Sequence, residues 1–445
     1  MRAFSQMARK KTDKFEHDCM NQFDGNNLKG CGTQRTAPFC RSWFTVGARC
    51  IAPLLMCVIA VVTTTSPVSG ESPREVRGLW VVRDCIRDSE SVERVVGLAD
   101  SLRFNVLFVQ IRGRGDAYYK SYFAPAPEGY AAIPDSFDPL AAVIELAHAR
   151  GIEVHAWFNM YFTWAPPVAP VSPQHPLNRH PEWFMVSKTG IDMGKCPVDS
   201  IIGLTVEGRY LSPCLEPVRL YLSRIISEVA VNYDIDGVHL DYIRYPNRDY
   251  DFHDAIRSQF KRRYGIDPLD VVKGDRTLDP ELRFYDEWIR FRARQIDSNV
   301  KDIARRLDLL DPGIRLSAAV KPDPDEAYYE YGQNWVQWLN EGIVDFVVPM
   351  SYYSENGRYA AILDSTLDKV DKRKIVGGIG LYRLDPPKAL EQISIVRERG
   401  LLGYCLFSYA ILRDDAQYAR RYRAAIPSSN TKPPSDFNPS IRSKQ

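Results

Sequence analysis

The chain offers no long membrane-spanning run, no metal or nucleotide motif and no excess of charge of either sign. Its one conspicuous apolar run, residues 51–62 (IAPLLMCVIAVV), is twelve residues long, too short to cross a bilayer comfortably as a helix. With 58 Lys plus Arg against 56 Asp plus Glu, the formal charge of +2 creates no field that would draw nucleic acid, so that partner is excluded. The seven histidines form neither HExxH nor a close ligand triad, which leaves no metal and no cofactor to expect. No GxGxxG or GxxxxGKS/T follows the early strands, and no GxSxG elbow occurs, so nucleotide binding and serine catalysis lack support. Five of the nine cysteines, Cys19, Cys31, Cys40, Cys50 and Cys57, fall in the first 57 residues. Cys85, Cys196, Cys214 and Cys405 are too scattered for a disulfide framework. A bridge between Cys196 and Cys214, within one long loop, stays open; Cys405, in mid-strand, reads as core.

What is present is organised in blocks. Residues 1–45 are a polar extension, consistent with a start codon placed too far upstream. Residues 46–70 read as an export signal: Arg41 and Arg49 precede the apolar run, and the small-residue stretch TTTSPVSGES follows, with cleavage expected after Gly70. The expected location is therefore periplasmic, envelope-associated or secreted, without a stable membrane span after cleavage. Residues 427–445, rich in Ser, Pro and Lys, read as a disordered tail.

Between them, over 74–426, short β-rich runs alternate with helical patterns, the mark of βα units. Eight runs begin at Val76, Asn105, Ile152, Asp236, Ile314, Val344, Lys374 and Leu401, and eight closes a (β/α)8 barrel. Ser89 is expected to cap a helix with an apolar stripe through Val92, Val95, Val96, Ala99 and Leu102. Asp138–Pro139 opens a second that Gly151 stops, and Pro386 opens a third that ends at Gly400. Two insertions break the rhythm, Tyr161–Leu215 and residues 246–312, and the first reads as a wall or lid of the site.

In such barrels the chemistry stands at the carboxyl ends of the strands. There the sequence delivers Gln110, Arg112 and Asp116; then His155, Trp157, Asn159 and Tyr161 on one strand face; then His239 and Asp241, with Tyr242 on the opposed face, followed by Arg244 and Tyr245. Later strands bring Lys321, Asp323 and Asp325; Tyr352, Tyr353 and Glu355; Tyr382 and Arg383; and Tyr409. Aromatics, carboxylates and amides suit a polyhydroxylated substrate. Glycoside hydrolysis needs two carboxyl groups, about 5–5.5 Å apart for retention and roughly 6.5–9.5 Å for inversion. Asp241 is the candidate for the ionised member, nucleophile or stabiliser, held charged by Arg244, Arg112 or His239. Glu355, Asp116 and Asp323 compete for the acid. Alternatively Asp241 only braces the barrel top against an arginine.

Together RGLWV (77–81), GDAYY (115–119), GIEVHAWFN (151–159), HPEWF (180–184), DGVHLDYIRYP (236–246) and VDFVVPMSYY (344–353) resemble the glycosyl-hydrolase-like family ten, over residues about 74–425. The resemblance implies a TIM barrel, an envelope or secreted location and cleavage of glycan strands such as peptidoglycan. It also implies a catalytic role for Asp241. The strand-four segment is distantly similar to the chitinase motif DxxDxDxE, but His239 and Ile243 replace its second Asp and its Glu, which excludes a chitinase-type acid at 243. The competing reading is a non-catalytic carbohydrate-binding barrel in which Trp157, Trp164 and Trp183 stack on sugar.

Overall fold

The computed structural model describes residues 75–129, 132–197, 200, 206–272 and 283–426. The polar extension, the export signal and the tail lie outside the described residues.

Among these, eight parallel strands form one sheet: β1 (Val76–Val81), β2 (Val106–Arg112), β3 (Glu153–Asn159), β4 (Gly237–Asp241), β5 (Arg315–Val320), β6 (Phe346–Pro349), β7 (Val376–Gly380) and β8 (Gly403–Phe407). Successive strands pair from β1 to β6, β7 pairs with β8 and β8 with β1, and the two edge strands β6 and β7 are linked by a single parallel bridge from Val347 to Ile375, just before β7. The sheet thus bends into a nearly closed barrel with surrounding helices, the (β/α)8 fold expected from the eight runs. The helices that follow the strands are α1 (Ser89–Ser101), α2 (Pro139–His148), α3 (Glu216–Asn232), α4 (Arg283–Leu310), α5 (Trp335–Asn340), α6 (Asn356–Leu367), α7 (Pro386–Glu398) and α8 (Ala416–Ala425).

Strand alternation divides the core in two. Leu79, Val81, Leu107, Val109, Val154 and Ala156 point outward into the layer that the helices cover. Val76, Trp80, Phe108, Trp157, Phe346 and Cys405 point inward and pack with each other. The interior is filled with rings: Phe108 lies 4.5 Å from His239 and 5.2 Å from His155, centroid to centroid. Glycine is needed where strands bring these rings against a neighbour, since a Cβ on Gly237 would sit 2.4 Å from His155 Nδ1.

Helix termini follow the sequence signals with one correction. The cap of α1 is Asp88 rather than Ser89: its carboxylate accepts the Ser91 N–H, and the Ser91 hydroxyl accepts the Asp88 N–H, a reciprocal capping box. Asp138 caps α2 through the Ala141 N–H with Pro139 in the first turn, and Asp385 caps α7 through Lys388.

The first insertion folds back over the barrel mouth as an antiparallel pair, Phe162–Trp164 with Arg209–Tyr210. The second carries helices Asp254–Tyr264 and Pro268–Val272, which share with the start of α4 a satellite core of Phe252, Ile256, Phe260, Val271, Trp288 and Phe291. Cys196 and Cys214 are free thiols; Cys214 Sγ lies 2.7 Å from Ser212 Oγ and 3.4 Å from Asp251 Oδ2. Among the described residues, no helix is long and apolar enough to cross a membrane.

Candidate active site

A cleft of about 880 Å³ opens at the carboxyl ends of the strands. Trp80, Trp157 and Asp241 line it from β1, β3 and β4; Phe162 and Glu207 from the first insertion; Lys321 and Glu326 from beyond β5. Tyr352, Tyr382 and Phe407 complete an aromatic side, their rings 5.7–6.1 Å apart.

Asp241 ends β4 in register with Asn159 at the end of β3. The next residue, Tyr242, adopts φ +49, a left-handed conformation costly for a residue with a side chain. That turn breaks the strand alternation which would have sent Tyr242 to the opposite face, so consecutive side chains both line the cleft. It also aims the Tyr242 N–H at Asp241 Oδ1, 2.6 Å away. Beside it runs a polar row: the Trp157 indole N–H donates to Asn159 Oδ1 at 3.1 Å, Gln110 Nε2 donates to the same oxygen at 3.2 Å, and Arg83 Nη1 donates to Gln110 Oε1 at 2.8 Å. Burial pushes the Asp241 carboxyl up to about 6, against the opposing pull of the Tyr242 N–H, the Arg244 charge and the Trp157 indole.

The second carboxyl group is Glu207, which the sequence reading did not name. Burial alone would raise it, but the neighbouring Arg244 charge and hydrogen bonds from its own backbone, Tyr210 and Arg244 outweigh burial and hold it below the usual glutamate range. Arg244 Nη2 donates to Glu207 Oε1 at 3.0 Å, and the Tyr210 hydroxyl donates to Oε2 at 2.8 Å. The guanidinium itself is buried, 4.7 Å from the Tyr242 ring centroid and 5.4 Å from that of Tyr331. One cleft therefore holds two carboxyl groups displaced in opposite directions, the arrangement that separates a proton donor from an ionised partner. The available signal for Glu207 was its place in the long insertion, beside the short strand Arg209–Tyr210.

Of the residues singled out from sequence, Gln110, Trp157, Asn159, Asp241, Tyr242, Arg244, Lys321, Tyr352, Tyr353, Tyr382 and Arg383 come together in this cleft. The others stand behind or beside its lining. Arg112 is fully buried and donates to the carbonyls of Asn159 and Met160, bracing the end of β3. His239 lies under Trp80, whose indole N–H donates to Nε2 at 3.3 Å, while Nδ1 meets Ser317 Oγ at 2.8 Å. Burial, then the adjacent His155, push its pKa well down, so His239 is neutral and supplies no charge to hold Asp241 ionised. Tyr161 accepts from Asn299 and Tyr245 donates to the Arg292 carbonyl, both rings buried. Tyr409 is buried at the start of helix Tyr409–Asp414. Asp116 is buried, accepting the Arg114 N–H at 2.9 Å, with Arg114 itself lining the cleft. Glu355 is exposed at the N-cap position of α6, and Asp323 caps helix Pro324–Tyr329. Among the described residues no group of three His, Cys, Asp or Glu could hold a metal ion.

Residues 75–393 match the model of a family described as glycosyl hydrolase-like 10. Glycosyl hydrolase YngK of Bacillus subtilis (strain 168) is 25% identical over 388 residues, covering 77% of this chain and 69% of the relative. Glycosyl hydrolase DigH of Escherichia coli (strain K12) is 23% identical over 321 residues, 65% of each protein. Among solved structures, the glycoside hydrolase domain of PgaB (BpsB) from Bordetella bronchiseptica superimposes with a TM-score of 0.62 at 15% identity, over 80% of this chain and 100% of that domain, a likeness of fold.

Proposed function

This chain belongs to the glycosyl hydrolase-like 10 family and is by that membership a glycosidase, and we propose that it is exported and cleaves a polysaccharide, peptidoglycan glycan strands being the first candidate, with Asp241 as proton donor. The observation that carries the mechanism is the opposite displacement of two carboxyl groups in one cleft. Asp241, raised by burial, keeps a proton into the mildly acidic range and gives it to the departing glycosidic oxygen. Glu207, paired with Arg244, stays ionised and either attacks the anomeric carbon or activates water. This exchanges the roles that strand position alone suggested, because burial acts on Asp241 more strongly than its cationic neighbour does. Glu355 and Asp116 stand outside the cleft lining, and of the two glutamates within it, Glu207 and Glu326, it is Glu207 that the Arg244 guanidinium pairs with, so Glu207 takes the second role. The aromatic side formed by Tyr352, Tyr382 and Phe407 supplies faces on which sugar rings stack. Export is supported by the positive, apolar and small-residue succession around residues 46–70.

The test is mass-spectrometric product analysis after incubating the protein with peptidoglycan glycan strands and a panel of polysaccharides. Wild type releases defined fragments from one of them, and Asp241→Asn slows that release by about 10²–10⁴-fold, the usual worth of a positioned acid. Intact glycans from a folded wild type that still binds sugar would make the barrel a binding module. Full activity in Asp241→Asn would remove that residue from the chemistry.

A further inference from the structure

Apart from the cleft, a pocket of about 280 Å³ opens on the outer wall of the barrel between α3 and α4. It shares no lining residue with the cleft, yet it backs on to the catalytic turn. Met160 and Tyr161 line it, both buried, and their N–H groups donate to the carbonyls of Asp241 at 2.8 Å and Tyr242 at 3.3 Å. Drug-sized ligands occupy about 300–1,000 Å³, so this pocket suits a smaller molecule.

Its polar groups are left half-paired. The buried Asn299 amide donates from Nδ2 to the Tyr161 phenol oxygen at 2.5 Å and to the Pro213 carbonyl at 3.2 Å. That carbonyl fixes which way the amide faces and leaves Asn299 Oδ1 a buried acceptor with no donor. Tyr161 receives the amide N–H, while its own O–H has no acceptor among the described residues. Burial raises the phenol, and the Asn299 amide and the Arg219 charge pull against it. Arg219 and Glu216 stand one turn apart on α3, the spacing at which opposite charges ordinarily pair. Neither forms a salt bridge or a side-chain hydrogen bond among the described residues. On the α4 side the charges are engaged, Arg306 with Ser227 and Asp302 with Arg305. The pocket thus offers a cation with a phenol donor, and an anion with an amide acceptor, around the apolar Met160, Leu220 and Ile303.

We propose that this pocket binds a free α-amino acid with an aliphatic side chain. The carboxylate meets the Arg219 guanidinium and the Tyr161 O–H, the ammonium meets Glu216 and the Asn299 carbonyl oxygen, and the side chain lies on Met160, Leu220 and Ile303. A simple carboxylate would leave Glu216 and Asn299 Oδ1 unpaired, and a simple amine would leave Arg219 and the Tyr161 proton so. A zwitterion satisfies all four. The site is separate from the glycosidase chemistry and does not depend on it.

Isothermal titration of the full chain with L-leucine tests this, beside 4-methylpentanoate, which lacks the ammonium, and L-leucinamide, which lacks the carboxylate. Leucine is expected to bind with a Kd of about 1 mM or tighter, and each analogue about tenfold more weakly, the worth of one charge-assisted contact. Arg219→Gln brings leucine down to the affinity of leucinamide, and Glu216→Gln brings it to that of 4-methylpentanoate. Arg219 is half-exposed and Glu216 exposed, so neither substitution disturbs the core. No binding of leucine up to about 10 mM overturns the proposal, as does equal affinity for the three compounds. Leucine binding that neither substitution weakens would place the compound elsewhere on the molecule and overturn it too.

Discussion

Asp241 sits where function and stability pull in opposite directions. Its carboxyl is 6% exposed and raised from 3.8 to about 6, so the folded state binds more protons than the unfolded chain between those values. Stability present in acid is therefore lost as pH rises through that window. A displacement of that size corresponds to a cost of up to about 3 kcal/mol above it. Asparagine carries no such cost, so Asp241→Asn should melt higher than wild type at pH 8, with the gain shrinking toward pH 4. Thermal scans at both pH values check this, and a lower melting temperature for the variant at pH 8 would contradict it. The position of Asp241 was legible in the sequence because alternation from His239 and the strand end placed it. Its protonation was not, because that depends on the Tyr242 turn, the Trp157 indole and the balance of burial against Arg244. Glu207 was illegible for a related reason: no periodicity in its insertion shows that Arg209–Tyr210 pairs with Phe162–Trp164.

Elements were the most readable scale, since strands buried on both faces and helices with one apolar stripe leave strong patterns. All eight runs became strands, and the three helices with start signals formed where expected. The discrepancies are local hydrogen-bonding choices: Asp88 outcompetes Ser89 for the cap of α1, and a positive φ at Tyr242 overrides alternation. Glycine marks two further element-level constraints with opposite signs. On β4, Gly237 admits the His155 ring, and Gly237→Ala should destabilise by about 1–3 kcal/mol through overpacking. On α1, Gly97 has open space around its missing Cβ, and Gly97→Ala should stabilise by about 0.5–1 kcal/mol. Denaturant titration of the two variants measures both; a neutral Gly237→Ala would mean that the barrel interior yields more easily than its packed rings imply.

At the scale of the whole molecule, a barrel filled by Trp80, Phe108, His155, His239 and Phe346 makes a rigid floor, and insertions make the site. The fold was legible because eight repeats leave few other ways to bury so many strands. The cleft was half legible: the barrel supplies Trp157, Asn159 and Asp241 at positions a sequence can count, while the first insertion adds the ionised partner. Motif words do not all lead to the site either. In HPEWF, His180 stacks on Trp183 at 3.8 Å, and neither ring lines the cleft. The central claim is that Asp241 works as a buried acid opposite an ionised Glu207. The pH dependence of kcat/KM on the glycan that wild type cuts tests it most directly: activity should fall as pH rises above about 6, where Asp241 loses its proton. A rate that climbs through pH 6 and holds to pH 8 would show Asp241 acting in its ionised form and would reverse the two roles.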